Sequence, residues 1–504
     1  SGICVYALGY MEDFQAHEPA GAKDRRPTFF ALMFLFLSAM YVIVFSNNLL
    51  WLFTGWEITT VCSFLLIGYT RTEEAIRNAF RQIVMNLAGG IGFLVGLYAI
   101  AVQFGTLSML EFLQLGSAFP VLAALPATAL AFAGITKAAQ MPFHTWLLGA
   151  MVAPTPTSAL LHSSTMVKAG VFLLVKLAPI FVVCPVPAVM TILVGGLTFM
   201  LCSFMAISQS NAKRVLAYST IANLGLIVAC AGVGTPEAIW AAAFLCCSCR
   251  CRNATAVFVR GHGRTSHRQP QHRGHGPAVR AHAAPGPLHD GRHHGHVRGA
   301  VRHAALRKWG TLVTFADTGN VALVIILGFG SAATFLFWAK WLGKLSGIAA
   351  HPLNVETTVH RSEWIALMLM AVLCLLCCAG LPVISWFVVD PYITSVYGTY
   401  QQAVSDANLW VGAILSVVVF VVLFAGLGAK QVKQAPVYLS GISANNANRT
   451  FTNSLSGETM ATARNWYLEG IFGEAKITPV ATGACTLIIV VAFAAALVCS
   501  CGII

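Results

Sequence analysis

Charged side chains are scarce in this sequence. They make up 10% of its 504 residues, whereas soluble domains carry about 25%. Hydrophobic residues account for 57%, and the mean hydropathy is +0.74. A chain with so few charges cannot surround its apolar residues with a polar surface, which excludes an ordinary soluble domain and indicates a membrane protein.

Ligand-binding cysteine patterns are also missing. The 15 cysteines lie mostly in apolar runs such as Cys374-Leu-Leu-Cys-Cys378, and no ladder of cysteines occurs in the loops. Disulfide frameworks and cysteine-ligated clusters need such spacings, so we read these residues as small buried hydrophobes. No phosphate-binding glycine loop is present either. We therefore expect no cofactor and no metal in this chain.

Long apolar runs are present along the whole sequence. They are continuous rather than alternating, so they predict membrane helices and not barrel strands. The fold class predicted is an all-α polytopic membrane protein with about 12–14 spans. No cleavable signal peptide is visible, and the apolar residues 5–11 are typical of the end of a helix, so we expect further helices upstream. The candidate spans are 28–46, 48–70, 80–104, 121–148, 156–182, 188–208, 215–234, 237–249, 320–342, 364–389, 409–429 and 481–500.

Residues 250–303 depart from this pattern, with ten arginines, ten histidines and a single acid, Asp290. Read literally, they form a basic loop that could bind metal or nucleic acid. The alternative is a reading-frame error, because a one-base shift can turn Asp290–Ala304 into an apolar run with a central proline. We favour the frame error over 250–305. It removes the metal and nucleic-acid interpretations and implies about two more spans.

Two ionisable residues lie inside apolar runs. Glu57 follows Gly55-Trp56, and Lys137 lies in a run that contains Pro142 five residues later. A charge at membrane depth costs several kcal/mol unless it is paired or hydrated, so such residues usually mark ion or proton paths. Proline disturbs helical hydrogen bonding, and a broken helix at this depth lines a wet or protein-enclosed cavity. A static salt bridge between two helices is the alternative.

Further candidates follow Lys137 in the sequence. His162 and Lys168 are six residues apart, after the Pro154/Pro156 turn. Histidine titrates near neutrality and suits a proton relay, although a hydrogen-bonded core histidine is an equally good interpretation of His162 alone. His144 lies close to the predicted break, where an interfacial position is also compatible with the sequence.

Four stretches, taken together, resemble one family: the antiporter-like proton-pumping membrane subunits of respiratory complex I, of energy-converting membrane hydrogenases and of Mrp-type cation/proton antiporters. The resemblance implies two inverted five-helix repeats, each with a broken helix, at 28–182 and 183–345. Residues 1–27 would end a truncated helix, and 346–504 would hold C-terminal helices and a polar loop. The four stretches are Leu49–Tyr69 (LLWLFTGWEITTVCSFLLIGY), Thr136–Leu147 (TKAAQMPFHTWL), Pro154–Val171 (PTPTSALLHSSTMVKAGV) and Asn211–Gly225 (NAKRVLAYSTIANLG).

The resemblance also implies roles for single residues. Glu57 and Lys137 would form the proton-exchanging pair, His162 would connect them to the second half-channel, and Lys168 matches a basic position of some members. Lys308 would belong to the second broken helix. A relay role is weighed against a membrane-edge anchor for Lys340 and for Lys213. One departure is Asn86–Gly90, which lacks both charges of the motif that complex I members often carry there.

The Lys340–Lys344 stretch and the C-terminal segment look most like the Ech-type hydrogenase branch. The resemblance implies a subunit that moves protons or sodium ions without catalysing the redox reaction itself. [NiFe] and iron–sulfur clusters would then belong to peripheral partner subunits, in a complex in a prokaryotic cytoplasmic (inner) membrane. The alternatives are a complex I subunit, an Mrp-type antiporter without a redox partner, and a scaffold with vestigial charges.

Overall fold

The structure is a computed structural model that describes residues 2–16, 24–246, 304–345, 360–398, 404–425, 450–452, 458–460 and 467–501. Nine helices in these ranges are long and apolar enough to cross a membrane. This confirms the predicted all-α polytopic class. The block 250–303 lies outside the described residues, so the frame error stays a prediction, as does the division into two repeats.

The helices of the first half follow one another with short connections. Single 3₁₀ turns cover Gly68–Thr70 and Ala150–Val152, and a π-helix covers Ala159–Ser164. The α-helices are α1 (Gly2–Ala16), α2 (Arg26–Phe45), α3 (Leu49–Ile67), α4 (Glu73–Phe104), α5 (Met109–Ala118), α6 (Pro120–Lys137), α7 (Thr145–Gly149), α8 (Thr155–Ser158), α9 (Met166–Val183), α10 (Pro185–Ser208) and α11 (Ala212–Val233).

The second half contains further helices and a small two-stranded ribbon, an element that the sequence did not predict. The strands β1 (Thr450–Thr452) and β2 (Glu458–Met460) pair antiparallel, and a π-helix covers Ser385–Val389. The helices are α12 (Pro236–Cys246), α13 (Ala304–Asp317), α14 (Val321–Leu345), α15 (Arg361–Ala379), α16 (Leu381–Ile384), α17 (Asp390–Tyr397), α18 (Asp406–Ala425), α19 (Glu469–Phe472) and α20 (Glu474–Ser500).

Two predicted spans, 121–148 and 364–389, are interrupted in the structure. The first contains the end of α6 and the start of α7, and the second contains the end of α15 and the start of α16. Gly380 and Pro382 explain the second interruption, because proline at the second position of α16 has no amide hydrogen to continue the preceding helix.

The last helix, α20, packs across the middle of the molecule, against α10 and α6. The Phe493 ring meets Phe132 of α6 edge to face, with 5.5 Å between centroids. At its other end, Gln103 of α4 donates a hydrogen bond of 3.2 Å to Ser500. The C-terminal helix therefore ties elements from both predicted repeats together.

Helices α6 and α9 approach each other closely just before Lys137. An added Cβ at Gly170 would overlap the Gly134 carbonyl oxygen and would lie 2.6 Å from the backbone nitrogen of Ala138. Only glycine permits this separation, because small residues allow membrane helix backbones to come close. The end of α6 is consequently fixed against α9 by backbone contact.

Candidate functional site: a buried lysine at a helix break

The helix that carries Lys137 ends at that residue. Seven residues separate α6 from α7, and Ala139 has a φ of 53°, in the left-handed region. The released backbone is satisfied locally, since Gln140 donates its amide hydrogen to the Ile135 carbonyl at 3.1 Å. Met141 donates its amide hydrogen to the Thr198 hydroxyl on α10, also at 3.1 Å. The predicted break before Pro142 is confirmed, and it lies inside the protein.

The Lys137 side chain is completely buried, with 0% exposure. Its ammonium donates hydrogen bonds to the Trp56 carbonyl oxygen at 2.8 Å and to the Thr60 hydroxyl at 2.7 Å, both on α3. The Trp56 ring adds a cation–π contact, 4.9 Å from Nζ to the ring centroid. Both hydrogen-bond acceptors are neutral, so the positive charge is held by dipoles and one aromatic face.

Glu57 lies next to this cluster but forms no direct ion pair with Lys137 within the described structure. The two charges interact electrostatically, and the Thr60 hydroxyl lies beside the carboxylate as well as beside the ammonium. Oε1 of Glu57 is buried and makes no hydrogen bond to any described residue. The structure therefore brings the predicted pair together, but not as a static salt bridge.

Gly90 of α4 explains where the Glu57 carboxylate lies. A Cβ added at Gly90 would overlap Oε1 of Glu57, so the carboxylate occupies the space that a side chain would fill. This glycine belongs to the stretch Asn86–Gly90, which lacks both charges of the complex I motif. In this chain its absent side chain makes room for Glu57, which is a positive reason for the departure from the motif.

A row of buried polar side chains extends from Thr60 along α3 and α4, and the sequence analysis missed it. Gln82 donates to the Ser63 hydroxyl at 2.8 Å, and Asn86 donates to the Gln82 carbonyl at 2.9 Å. All four side chains are buried. Their helical spacing on two apolar helices is a signal that could have found them, because uncharged polar groups need partners at this depth.

His162 lies in the π-helix, and such bulges often occur at functional sites. Its ring is buried, and neither nitrogen forms a hydrogen bond of good geometry to a described residue. The Lys213 ammonium is its electrostatic neighbour. Lys213 is only 9% exposed, so the structure places it inside the protein rather than at a solvated edge.

Lys168 points elsewhere. Its ammonium donates to the Cys246 carbonyl oxygen of α12 at 2.8 Å, and the Cys246 sulfur is 3.9 Å away. The structure thus groups His162 with Lys213, not with Lys168. His144, which follows the break, is completely buried beside the Pro142 carbonyl.

The two remaining lysines both contact α10. The Lys308 ammonium lies 5.1 Å from the Phe199 ring centroid. Lys340 donates to the Ile207 carbonyl oxygen at 2.5 Å and lies 3.8 Å from the Tyr467 ring centroid. These contacts place Lys308 and Lys340 at separate points, outside the Glu57–Lys137 cluster.

No group of three or more His, Cys, Asp or Glu side chains could hold a metal ion within the described ranges. The site consists instead of ionisable and hydroxyl-bearing side chains beside a broken helix. Such an arrangement can hold, release and pass on a small cation.

A polytopic helical protein with buried charges beside a broken helix belongs to the transporter-like class of membrane proteins. Residues 46–269 match the model of the family described as NADH:quinone oxidoreductase/Mrp antiporter, transmembrane region. The chain is an antiporter-like membrane subunit of this complex I and Mrp type.

Similar sequences include a probable K(+)/H(+) antiporter subunit of Rhizobium meliloti, 40% identical over 48% of this chain and 24% of the relative. NADH-quinone oxidoreductase subunit L of Pseudomonas aeruginosa is 38% identical over 47% of this chain and 40% of the relative. The matches thus span between a quarter and two fifths of these relatives' length.

Two solved structures share the fold. A chain of the Mrp complex from Dietzia sp. DQ12-45-1b has a TM-score of 0.65 and 26% identity, over 85% of this chain and 47% of that one. A chain of the archaeal membrane-bound sulfane sulfur reductase has a TM-score of 0.62 over 83% of this chain and 84% of that one. Its identity is 20%, so this likeness concerns the fold alone.

Proposed function

We propose that this chain moves protons or sodium ions across a membrane, with Lys137 and Glu57 as the central exchanging pair. The observation that carries the proposal is a fully buried ammonium hydrogen-bonded to two neutral oxygens, beside a carboxylate that is close but not bonded to it. A static salt bridge would need direct contact between the two charges to offset the cost of burying them.

The geometry supports an exchange in which the separation between the two groups sets the charge on Lys137. When the ammonium moves toward Glu57, the opposite charge favours the protonated form; when it moves away, burial favours the neutral amine. The Thr60 hydroxyl accepts a hydrogen bond from Lys137 and lies beside Glu57. It is therefore placed to carry a proton from one group to the other.

The remaining predicted residues extend this path. His162 with Lys213, and then Lys168, would connect the pair toward α12, while Lys308 and Lys340 would act along α10. His144 would act at the break itself. These roles rest on the positions and burial given above, together with the family likeness.

For the source of energy, we propose electron transfer in partner subunits, most like a membrane-bound hydrogenase in a prokaryotic cytoplasmic membrane. The Lys340–Lys344 stretch and the C-terminal segment support this branch, and [NiFe] and iron–sulfur clusters would lie in peripheral chains. The second candidate is an Mrp-type antiporter without redox partners, favoured by the structural likeness to the Dietzia Mrp complex.

The test uses the purified complex in sealed vesicles, with ion movement followed by a pH-sensitive dye and by ²²Na⁺. We expect Lys137→Met and Glu57→Gln each to reduce translocation at least ~10-fold while the complex assembles normally, since each removes one exchanging group. Intact translocation in both variants would leave a scaffold role. Co-purifying [NiFe] and iron–sulfur subunits would support the hydrogenase branch, and their consistent absence would favour the antiporter.

A further inference from the structure

An ion-paired carboxylate lies where α20 meets the connection between α10 and α11. Glu474, the first residue of α20, accepts hydrogen bonds from Arg214 Nη2 at 3.1 and 3.0 Å. Gln209 also donates to it, at 3.5 Å. The Glu474 side chain is 32% exposed and the Arg214 side chain 43%, so this carboxylate can reach the surface of the chain.

The inner side of the same carboxylate faces buried groups. The His144 ring and the Tyr218 hydroxyl both interact electrostatically with Glu474, and both side chains are completely buried. Cys202 of α10 is a further electrostatic neighbour, also buried. Glu474 thus lies between the exposed Arg214 side and an interior that includes the histidine of the helix break.

His144 is the second observation that points to this role. It has 0% exposure, and neither ring nitrogen forms a hydrogen bond of good geometry to a described residue. Buried polar groups are normally satisfied. A buried imidazole with two available nitrogens, next to a surface-reaching carboxylate, has the composition of a proton relay.

We propose that Glu474 is the surface carboxylate through which protons enter or leave the helix break, exchanging them with His144. This inference rests on the proposed ion-translocating function, which it deepens by adding a surface opening formed by the last helix. Neither residue 474 nor any other site residue on α20 was predicted from the sequence.

The step is a simple proton transfer. A proton from surface water adds to the Glu474 carboxylate, and the carboxylic acid then gives it to a ring nitrogen of His144. The carboxylate is regenerated and the imidazole becomes imidazolium, and the reverse sequence releases a proton to water. The Arg214 guanidinium stays charged throughout, so it holds the carboxylate in place between transfers.

The experiment compares three variants of the assembled complex in vesicles: Glu474→Gln, Arg214→Gln, and the exchange Glu474→Arg with Arg214→Glu. Proton translocation is measured from pH 5.5 to 8.5, and assembly and thermal stability are recorded for each. We expect Glu474→Gln to slow translocation at least tenfold and to alter its pH profile. Arg214→Gln should lose the ion pair equally but keep more than half of the activity.

The exchange variant separates the proton role from a purely structural one. If Glu474 serves only to hold α20, Arg214→Gln will match Glu474→Gln, and the exchanged pair will restore both stability and translocation. Either result overturns the proposal. If the wild-type complex moves no protons or sodium ions at all, the proposed function itself fails. If the wild type is active and Glu474→Gln equals it, only this inference fails.

Discussion

The lysine of the first predicted repeat and those of the second have different surroundings. Lys137 is fully buried, with a hydroxyl, a carbonyl and an indole face around its ammonium and a carboxylate close by. Lys340 is only partly buried, and its ammonium is placed on a backbone carbonyl at the end of α10 and on the Tyr467 ring.

This difference separates two uses of a lysine in a membrane helix. A lysine that exchanges a proton needs a place where its neutral form is also acceptable, which burial beside a movable counter-charge provides. A lysine at the end of a helix commonly extends its ammonium toward polar groups at the membrane boundary and stays charged. The surroundings of Lys137 fit the first use, and those of Lys340 are closer to the second.

The largest contrast is expected between Lys137→Arg and Lys340→Arg. A guanidinium stays protonated and is larger, so it can neither exchange a proton nor fit the closed pocket of Lys137. We expect at least ~10-fold slower translocation for Lys137→Arg and less than ~2-fold for Lys340→Arg, measured with a pH-sensitive dye in vesicles. Equal losses would show that both lysines titrate and would end the distinction.

A smaller effect is expected when the Thr60 hydroxyl is removed. Thr60→Val leaves the Lys137 ammonium with one hydrogen-bond acceptor fewer, which costs about 1–3 kcal/mol for a buried group. Thr59→Val is the matched control, because Thr59 is equally buried on α3 and its hydroxyl donates to the same Trp56 carbonyl, at 2.7 Å.

We therefore expect Thr60→Val to slow translocation about 3- to 30-fold and Thr59→Val to stay within ~2-fold of the wild type, as the energies of one lost hydrogen bond suggest. The two variants would be measured in the same vesicle preparation. Similar behaviour of both would mean that the hydroxyl only stabilises α3 and does not take part in the exchange.

The smallest effect concerns a partly exposed pair far from both lysines in sequence. His360 Nε2 lies 2.9 Å from Asp13 Oδ1, where α1 packs against the start of α15. This hydrogen bond raises the pKa of His360. Because the pKa is higher in the folded state, the stabilisation is fully present below the unfolded value of ~6.5 and is lost as the pH rises through the folded pKa.

Hydrogen exchange of residues 2–16 tests this, with His360→Gln as a donor that does not titrate. The wild type should be more protected than the variant at pH 5.5, and the two should converge by pH 8.5. A difference that stays constant over this range would contradict a titrating contact. The pair thus provides an example of titration at the surface against which the buried lysine can be judged.

The fold class followed from the sequence because apolar runs determine where helices form in a membrane. Helix starts were less accessible: α4 begins at Glu73 and α20 at Glu474, each seven residues before its predicted span. Hydropathy detects the apolar part of a helix. The start of α4 is instead set by Thr72, whose hydroxyl accepts a hydrogen bond from the Ala75 amide.

The central charges of the site could be found for a related reason, since Glu57 and Lys137 stand out in apolar runs and Pro142 indicates the break. Thr60 and Gln82 could not be distinguished from the many polar residues that satisfy themselves within a helix. Glu474 lies more than 300 residues from Lys137 in sequence, and its position beside His144 depends on how α20 packs. Contacts of this kind require the tertiary structure.

The close approach of Gly134 and Gly170 has a consequence for time. With the backbone before Lys137 pressed against α9, charge is relocated by rotation about the bonds of the lysine itself, not by sliding of the helix. Side-chain rotations take roughly picoseconds to nanoseconds in open surroundings, whereas collective helix movements take roughly microseconds to milliseconds. The lysine can therefore keep pace with any slower event elsewhere in the assembly, and the speed of each cycle is set outside this segment.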